Sequence, residues 1–146
     1  MITRVIVSGG FDPIHVGHCR YFKEAKKLGN RLIVIVNTDD FLMKKKGFVF
    51  MPQSERIEII SNFWTIVDEI WSSLDIDMTV CKTLEFLKER YPEDKLIFAK
   101  GGDRTIDNIP EKETCDRLGI EMKFNIGGEK IQSSSELVRR NNNAKL

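Results

Sequence analysis

The sequence predicts an α/β protein with a single-domain, Rossmann-like doubly wound parallel sheet, and three observations carry that expectation. Short continuous apolar runs, Val5-Ile6-Val7, Leu32-Ile33-Val34-Ile35-Val36 and Leu96-Ile97-Phe98-Ala99, read as strands buried on both faces. Stretches with helical spacing alternate with them, and the right-handed crossover rule then places helices on both sides of a mainly parallel sheet. Two strands end in glycines, Gly9-Gly10 and Gly101-Gly102. Ligands bind outside the carboxyl ends of strands in such sheets, so one cleft can use both turns.

Along the chain, Met1 to Ser8 forms the first strand, and Val16 to Lys27 reads as a helix stopped by Leu28-Gly29-Asn30 before the strand Arg31 to Asn37. That completes one β-α-β unit. Asp39 to Met51, interrupted by Lys44-Lys45-Lys46-Gly47, reads as a mobile basic loop, and Pro52 followed by Ser54-Glu55-Arg56 opens a helix reaching about Trp64. A short strand is expected near Ile66 to Trp71. Val80, Leu84 and Leu87 give Thr79 to Arg90 a helical spacing, Tyr91-Pro92-Glu93-Asp94 breaks it, and Lys95 to Ala99 is the next strand. A weak helix around Pro110 to Leu118, a strand at Ile120 to Phe124 and a helix from Ser134 to Arg140 follow. Residues 1–140 form the domain, and Asn141 to Leu146 read as a polar tail.

The chain has 146 residues, enough for one domain with a core that needs no disulfide staples. Its 23 basic and 22 acidic side chains leave it nearly neutral, so no global field favours nucleic acid or a membrane surface. Cys19, Cys81 and Cys115 are odd in number, widely spaced and without a CxxC pair, which argues against a disulfide framework and a zinc cluster. The start of the chain lacks a signal-peptide layout, and no apolar run approaches the roughly 20 residues of a membrane span. A cytoplasmic protein is expected. Trp64 and Trp71 are expected to pack in the core or at a dimer contact rather than to stack on a base.

Chemistry concentrates in Gly9-Gly10-Phe11-Asp12-Pro13-Ile14-His15-Val16-Gly17-His18, between the first strand and the first helix. Glycines let the backbone come close to an anion, and the next helix points unsatisfied N–H groups at the same place. Three residues apart, His15 and His18 can face one ligand near the helix start, and a phosphate is the natural one. Structural packing and a zinc half-site are the alternatives, the latter poor because no third ligand lies nearby in sequence.

Residue by residue, this stretch resembles the GxFDxxHxGH signature of the nucleotidylyltransferase superfamily, matching at Gly9, Phe11, Asp12, His15, Gly17 and His18. Such enzymes join a nucleoside triphosphate to a phosphorylated acceptor and release pyrophosphate. The resemblance implies that His15 and His18 hydrogen-bond α- and β-phosphate oxygens in the transition state, with Gly9, Gly10, Phe11 and Gly17 shaping the nucleotide site. It implies a catalytic lysine in the Lys44-Lys45-Lys46 run, where Lys46 and Lys44 are the candidates; a solvated charge run is the alternative. Arg56, in a segment similar to the family's proline-to-arginine helix start, is expected to bridge loop and phosphate, unless it is a surface arginine. Asp68 is expected to orient Arg56 or a loop lysine. Ser133, Ser134 and Ser135 resemble the family's ISTT-type motif and would cradle β- and γ-phosphates; plain capping by Ser133 with Glu136 is the other reading.

Lys100-Gly101-Gly102-Asp103 resembles the heptose-phosphate adenylyltransferases, with Gly101 and Gly102 beside base or ribose and Asp103 accepting from sugar hydroxyls. Glycerol-phosphate cytidylyltransferases carry a different run before the serines, where this chain has Gly128-Glu129-Lys130-Ile131. The resemblance therefore implies a nucleotidylyltransferase that moves NMP from a triphosphate, ATP ahead of CTP, to a small sugar or polyol phosphate. Mg2+ would arrive with the triphosphate and no protein metal site is expected. Relatives are often dimers, so a homodimer is an open expectation. The alternatives are a CTP-dependent enzyme of the glycerol-phosphate type and a non-catalytic nucleotide-binding regulator, which would have no reason to keep both histidines and the lysines. A flavodoxin-like carrier would need an acidic surface and a hydroxyl-rich loop after the first strand.

Overall fold

In a computed structural model that describes residues 1–102, 109–128 and 134–144, the alternation of the sequence becomes a five-stranded sheet in the order β3-β2-β1-β4-β5 with every pairing parallel. The strands are β1 (Thr3–Gly9), β2 (Arg31–Val36), β3 (Glu69–Ser72), β4 (Lys95–Gly101) and β5 (Glu121–Ile126). Between them run α1 (Val16–Lys26), α2 (Asp39–Lys46), α3 (Gln53–Ser61), α4 (Cys81–Arg90) and α5 (Lys112–Leu118), and α6 (Ser134–Ala144) follows β5. This is the Rossmann-like, doubly wound architecture expected.

Strand periodicity divides the core in two. Val5 and Val7 of β1, and Leu32, Val34 and Val36 of β2, face Phe22 and Ala25 of α1 and Ile60 of α3. Their neighbours Ile6, Ile33 and Ile35 point through the other face onto Leu84 and Leu87 of α4 and Cys115 of α5. Successive strand side chains must alternate faces, so a run apolar at every position is stable only between two helical layers. In-register pairs such as Val5 with Leu32 and Ile6 with Ile33 keep like faces together.

Strand order reverses between β1 and β4, because the chain builds outward from β1 to β3 and then crosses through α4 to the other side. Beyond the carboxyl ends of β1 and β4 the crossovers diverge and leave a crevice.

Three expectations are corrected. Asp39 to Met51 is not a loop throughout: its first part is α2, capped by Thr38, whose hydroxyl accepts from the amide of Phe41 at 3.1 Å. Asp39 and Asp40 in its first turn and the lysines in its last complement the helix dipole, and Gly47 closes it at φ 82°. At the other end of the chain α6 continues to Ala144, so part of the expected tail is helical; Arg140 meets Glu136 one turn earlier at 3.1 Å. The helix expected to reach about Trp64 ends at Ser61 and leaves Trp64 78% exposed, outside the core, whereas Trp71 packs edge-on against Phe86 at 4.9 Å as expected of a core contact. No helix among the described residues is long and apolar enough to cross a membrane.

Candidate active site

The carboxyl ends of β1 and β4 open into a cleft of about 640 Å³ whose walls include Gly9, Gly10, His15, His18, Gly101 and Gly102. Its first wall is the turn from β1 into α1. Phe11 sits there at φ 53°, a left-handed conformation that costs a non-glycine residue about 1–3 kcal/mol. The surrounding contacts hold it: the ring is buried, edge-on to His18 at 5.0 Å and to Phe22 at 5.2 Å. A Cβ on Gly9 would lie 2.9 Å from that ring, and one on Gly10 would lie 2.8 Å from Leu42 of α2. A side chain at either position would have to displace Phe11 or Leu42.

His15 is the N-cap of α1. Its Nδ1 accepts from the Gly17 amide at 3.0 Å, while Nδ1 of His18 accepts from the His15 amide at 3.1 Å, a capping box built from two imidazoles. The rings stack with centroids 3.8 Å apart and planes 25° from parallel. Because Nδ1 of each ring is an acceptor, each neutral imidazole carries its proton on Nε2 and donates from that edge. Gly17 permits the arrangement: a Cβ there would sit 2.8 Å from Cε1 of His15. The sequence placed both histidines at the helix start, and the structure adds that their backbone bonds fix the tautomer.

Asp12 supplies the next constraint. It is buried, and its carboxylate accepts from the amides of Phe50 at 2.7 Å and Met51 at 2.5 Å, tying the segment after α2 to the first loop. Lys46 reaches the Asp12 carbonyl at 2.9 Å and its carboxylate at 3.4 Å, and lies over the Phe48 ring. Lys46 is thus in the cleft wall, as is Lys45. Lys44 is not; one residue is about 100° around a helix, and Lys44 is directed to the Ile76 carbonyl at 3.5 Å. Of the two candidate lysines, the structure places Lys46 in the cleft wall and Lys44 outside it.

Arg56 is not a surface arginine: it is 1% exposed, and it stands outside the cleft wall. Its guanidinium donates to the carbonyls of Met51 at 2.9 Å, Gly10 at 2.7 Å and Asn37 at 2.8 Å, and pairs with Asp39 at 2.6 Å. One rigid fork joins the ends of β1 and β2 to the starts of α2 and α3. Asp68 lies far from Arg56 in the fold, at the amino end of β2, where it accepts from the Leu32 amide at 2.8 Å and pairs with Lys26.

Across the cleft stand Gly101, Gly102, Lys100 and Glu111, with Ser134 donating to the Pro13 carbonyl at 2.6 Å. Gly102 needs its glycine, at φ 69°. Asp103 and Ser133 lie outside the described residues, as does the side chain of Ser135. Behind Glu111, burial and then the Glu111 charge push the Cys115 thiol up to about 12. Among the described residues, four cationic side chains, Arg20, Lys45, Lys46 and Lys100, line the cleft against two carboxylates, Asp12 and Glu111. Among the described residues no three His, Cys, Asp or Glu side chains are grouped to hold a metal ion. Asp12, Asn37, Lys100 and Glu111 had no role assigned from the sequence; Asp12 and Lys100 carried a signal, each by its place in a family-like run.

A strand-to-helix glycine turn, paired imidazole donors and a cationic wall at the switch point of a doubly wound sheet define a protein that handles anionic, phosphorylated ligands. The chain belongs to the cytidylyltransferase-like family, whose model matches residues 6–141. It is similar to an FAD synthase of Pyrococcus abyssi, 33% identical over 121 residues, covering 82% of this chain and 76% of that protein. An FAD synthase of Thermococcus sibiricus is 34% identical over 118 residues, covering 80% and 74%. The bifunctional protein HldE of a Marinomonas species is 37% identical over 119 residues, which are 82% of this chain and 24% of that longer protein. Among solved structures, a lipopolysaccharide core biosynthesis protein from Thermoplasma volcanium superposes with a TM-score of 0.66 at 29% identity, covering 86% of this chain and 95% of that one. The family is enzymatic, and the chain is a nucleotidyltransferase.

Proposed function

We propose that the protein transfers AMP from ATP to the phosphate of a small sugar or polyol phosphate, releasing pyrophosphate. The observation that carries the reading is the pair of stacked imidazoles capping α1 in the cleft wall, each accepting a backbone amide at Nδ1. ATP is favoured over CTP because the FAD synthases at 33% and 34% identity are named for a product that contains an adenylyl group. FMN, to which an adenylyl group must be joined to make FAD, carries its phosphate on a ribityl chain and so falls in the polyol-phosphate class.

The reaction forms a bond from an acceptor phosphate oxygen to the α-phosphorus and breaks the bond from that phosphorus to the α,β-bridging oxygen, whose electrons leave with pyrophosphate. A phosphomonoester dianion is already nucleophilic, so the protein must position the partners and balance charge. His15 and His18 donate Nε2–H bonds to oxygens on which charge builds, and act as donors rather than bases. Lys46, held by Asp12, supplies a fixed positive charge on the β2 side, and the N-terminus of α1 adds its dipole. Mg2+ enters as part of the triphosphate substrate; with Asp12 committed to two amides and Lys46, the phosphates are its natural ligands.

The test is pyrophosphate release by the purified chain with ATP or CTP against FMN, a heptose phosphate and glycerol 3-phosphate. ATP with one of these acceptors should turn over. Preference for CTP would overturn the nucleotide, and no release from any pair would overturn the reaction.

A further inference from the structure

Among the described residues, the buried side-chain polar atoms left without a hydrogen-bond partner are Asn37 Oδ1 and Glu111 Oε2. Both residues belong to the cleft wall, Asn37 at the end of β2 and Glu111 beyond the end of β4. Leaving a buried acceptor unpaired is costly, and native folds tolerate it where something else completes the bond. Both atoms are acceptors. What completes them must therefore bring a donor, which a phosphate dianion cannot do.

Glu111 makes the stronger case. Asn37 can exchange oxygen for nitrogen by turning its amide, but an ionised carboxylate offers acceptors alone. Glu111 is 6% exposed, and its side chain makes no cap bond to α5 although it stands at the N-cap position. Only its backbone carbonyl serves that helix, accepting from the Cys115 amide at 2.9 Å. The structural work that would account for a buried carboxylate at this position is not done by it.

Its place in the topology narrows the ligand. His15 and His18 follow the central strand β1, Lys46 lies on the β2 side, and Glu111 stands on the β4 side with Gly101 and Gly102. Lys100 shares that wall, but an ionised carboxylate repels phosphate and can only accept, so it is a neutral, donor-bearing part of a substrate that is left to meet Glu111. We infer that Glu111 is a specificity-determining residue that accepts a hydrogen bond from a neutral hydroxyl or amino donor of a substrate. This rests on the nucleotidyl-transfer reading. The donor belongs either to the nucleoside, as ribose hydroxyl or base amino group, or to the polyol chain of the acceptor.

The experiment uses the full chain, as wild type, Glu111→Gln and Glu111→Ala. Calorimetry with Mg-ATP, its 2′-deoxy and 3′-deoxy analogues and purine riboside triphosphate reads the nucleoside; steady-state KM for the accepted phosphomonoester reads the acceptor. Losing a bond to a charged group costs ~10- to 100-fold in affinity. If the donor is on the nucleoside, both variants weaken ATP by that factor, and one analogue binds wild type and variants alike. If it is on the acceptor, ATP affinity holds within twofold while the acceptor KM rises by that factor. ATP affinity and acceptor KM both unchanged within twofold would overturn the inference, as would a loss confined to Tm and kcat. Should wild type release no pyrophosphate with any pair, the reaction reading fails by itself. Calorimetry still decides Glu111 in that event: weakened ATP binding upholds the inference, and unchanged binding overturns it.

Discussion

His15 belongs to two structures at once, because the ring that caps α1 is also a ring that faces the cleft. Replacing it removes a cap, about 1 kcal/mol of stability, and a transition-state donor together. His18→Ala keeps the bond from the Gly17 amide to His15 and removes only the reciprocal bond from the His15 amide, so it disturbs the cap less while removing a donor. Both variants should lose ~100-fold or more in kcat, with ATP affinity changed far less, since a donor that engages developing charge contributes little to the ground state. Stopped-time pyrophosphate assays beside ATP calorimetry measure the split, and near-normal turnover in His18→Ala would end the catalytic assignment. The three lysines make a sharper comparison at the same scale. Lys46→Ala should lower kcat/KM by at least ~10-fold, while Lys44→Ala, directed to the Ile76 carbonyl, should stay within about twofold. Equal, mild effects at both positions would return the run to a solvated charge cluster.

At the scale of elements, Arg56 is the joint of the active-site half. Four segments meet on its guanidinium, three through backbone carbonyls, of which that of Asn37 is buried and those of Gly10 and Met51 half-buried. Arg56→Ala should cost about 3 kcal/mol or more in urea unfolding, and Arg56→Lys should recover little, because an ammonium cannot reproduce a planar fork to several acceptors. Gly10 sets the other limit at this scale. With a Cβ 2.8 Å from a Leu42 methyl, Gly10→Ala must displace that side chain, the one α2 buries, and α2 carries Lys46. Its kcat should fall, and Leu42→Ala in the same chain should restore part of it by making room. α2 also shows why the sequence reading missed an element. Thr38, Asp39 and Asp40 form a helix start and Lys46-Gly47 a helix stop, but the short segment between has a weak apolar pattern, with Leu42 its one buried residue.

For the whole molecule, the two-faced core makes Cys115 a reporter of global stability. It is fully buried between α5 and the sheet with its thiol pushed up to about 12, whereas Cys19 and Cys81 are partly accessible. At pH 8 a disulfide-exchange reagent should therefore modify two thiols quickly. The third should react only at the rate at which the whole sheet opens, since both its protonation and its burial must be undone. Three fast thiols would mean that the α5 layer opens independently of the sheet.

The sequence by itself determined the fold class and the heart of the site. Apolar runs unbroken at every position have one stable home, between two helical layers, and a glycine turn ahead of HxxH can hardly place its rings anywhere but at a helix start. Local pattern was enough there because strand periodicity, capping and the turn lie within a few residues of one another. Tertiary structure alone decided the rest. Arg56 could be read as phosphate ligand or surface residue until the carbonyls of Gly10 and Asn37, 46 and 19 positions away in the chain, claimed its donors. Lys46 became separable from Lys44 only when Asp12 held it, and Glu111 acquired meaning only when its oxygen proved buried and unpartnered in the cleft wall. Each of these depends on which distant groups share a site, and that is fixed by the order of the strands and the packing between layers.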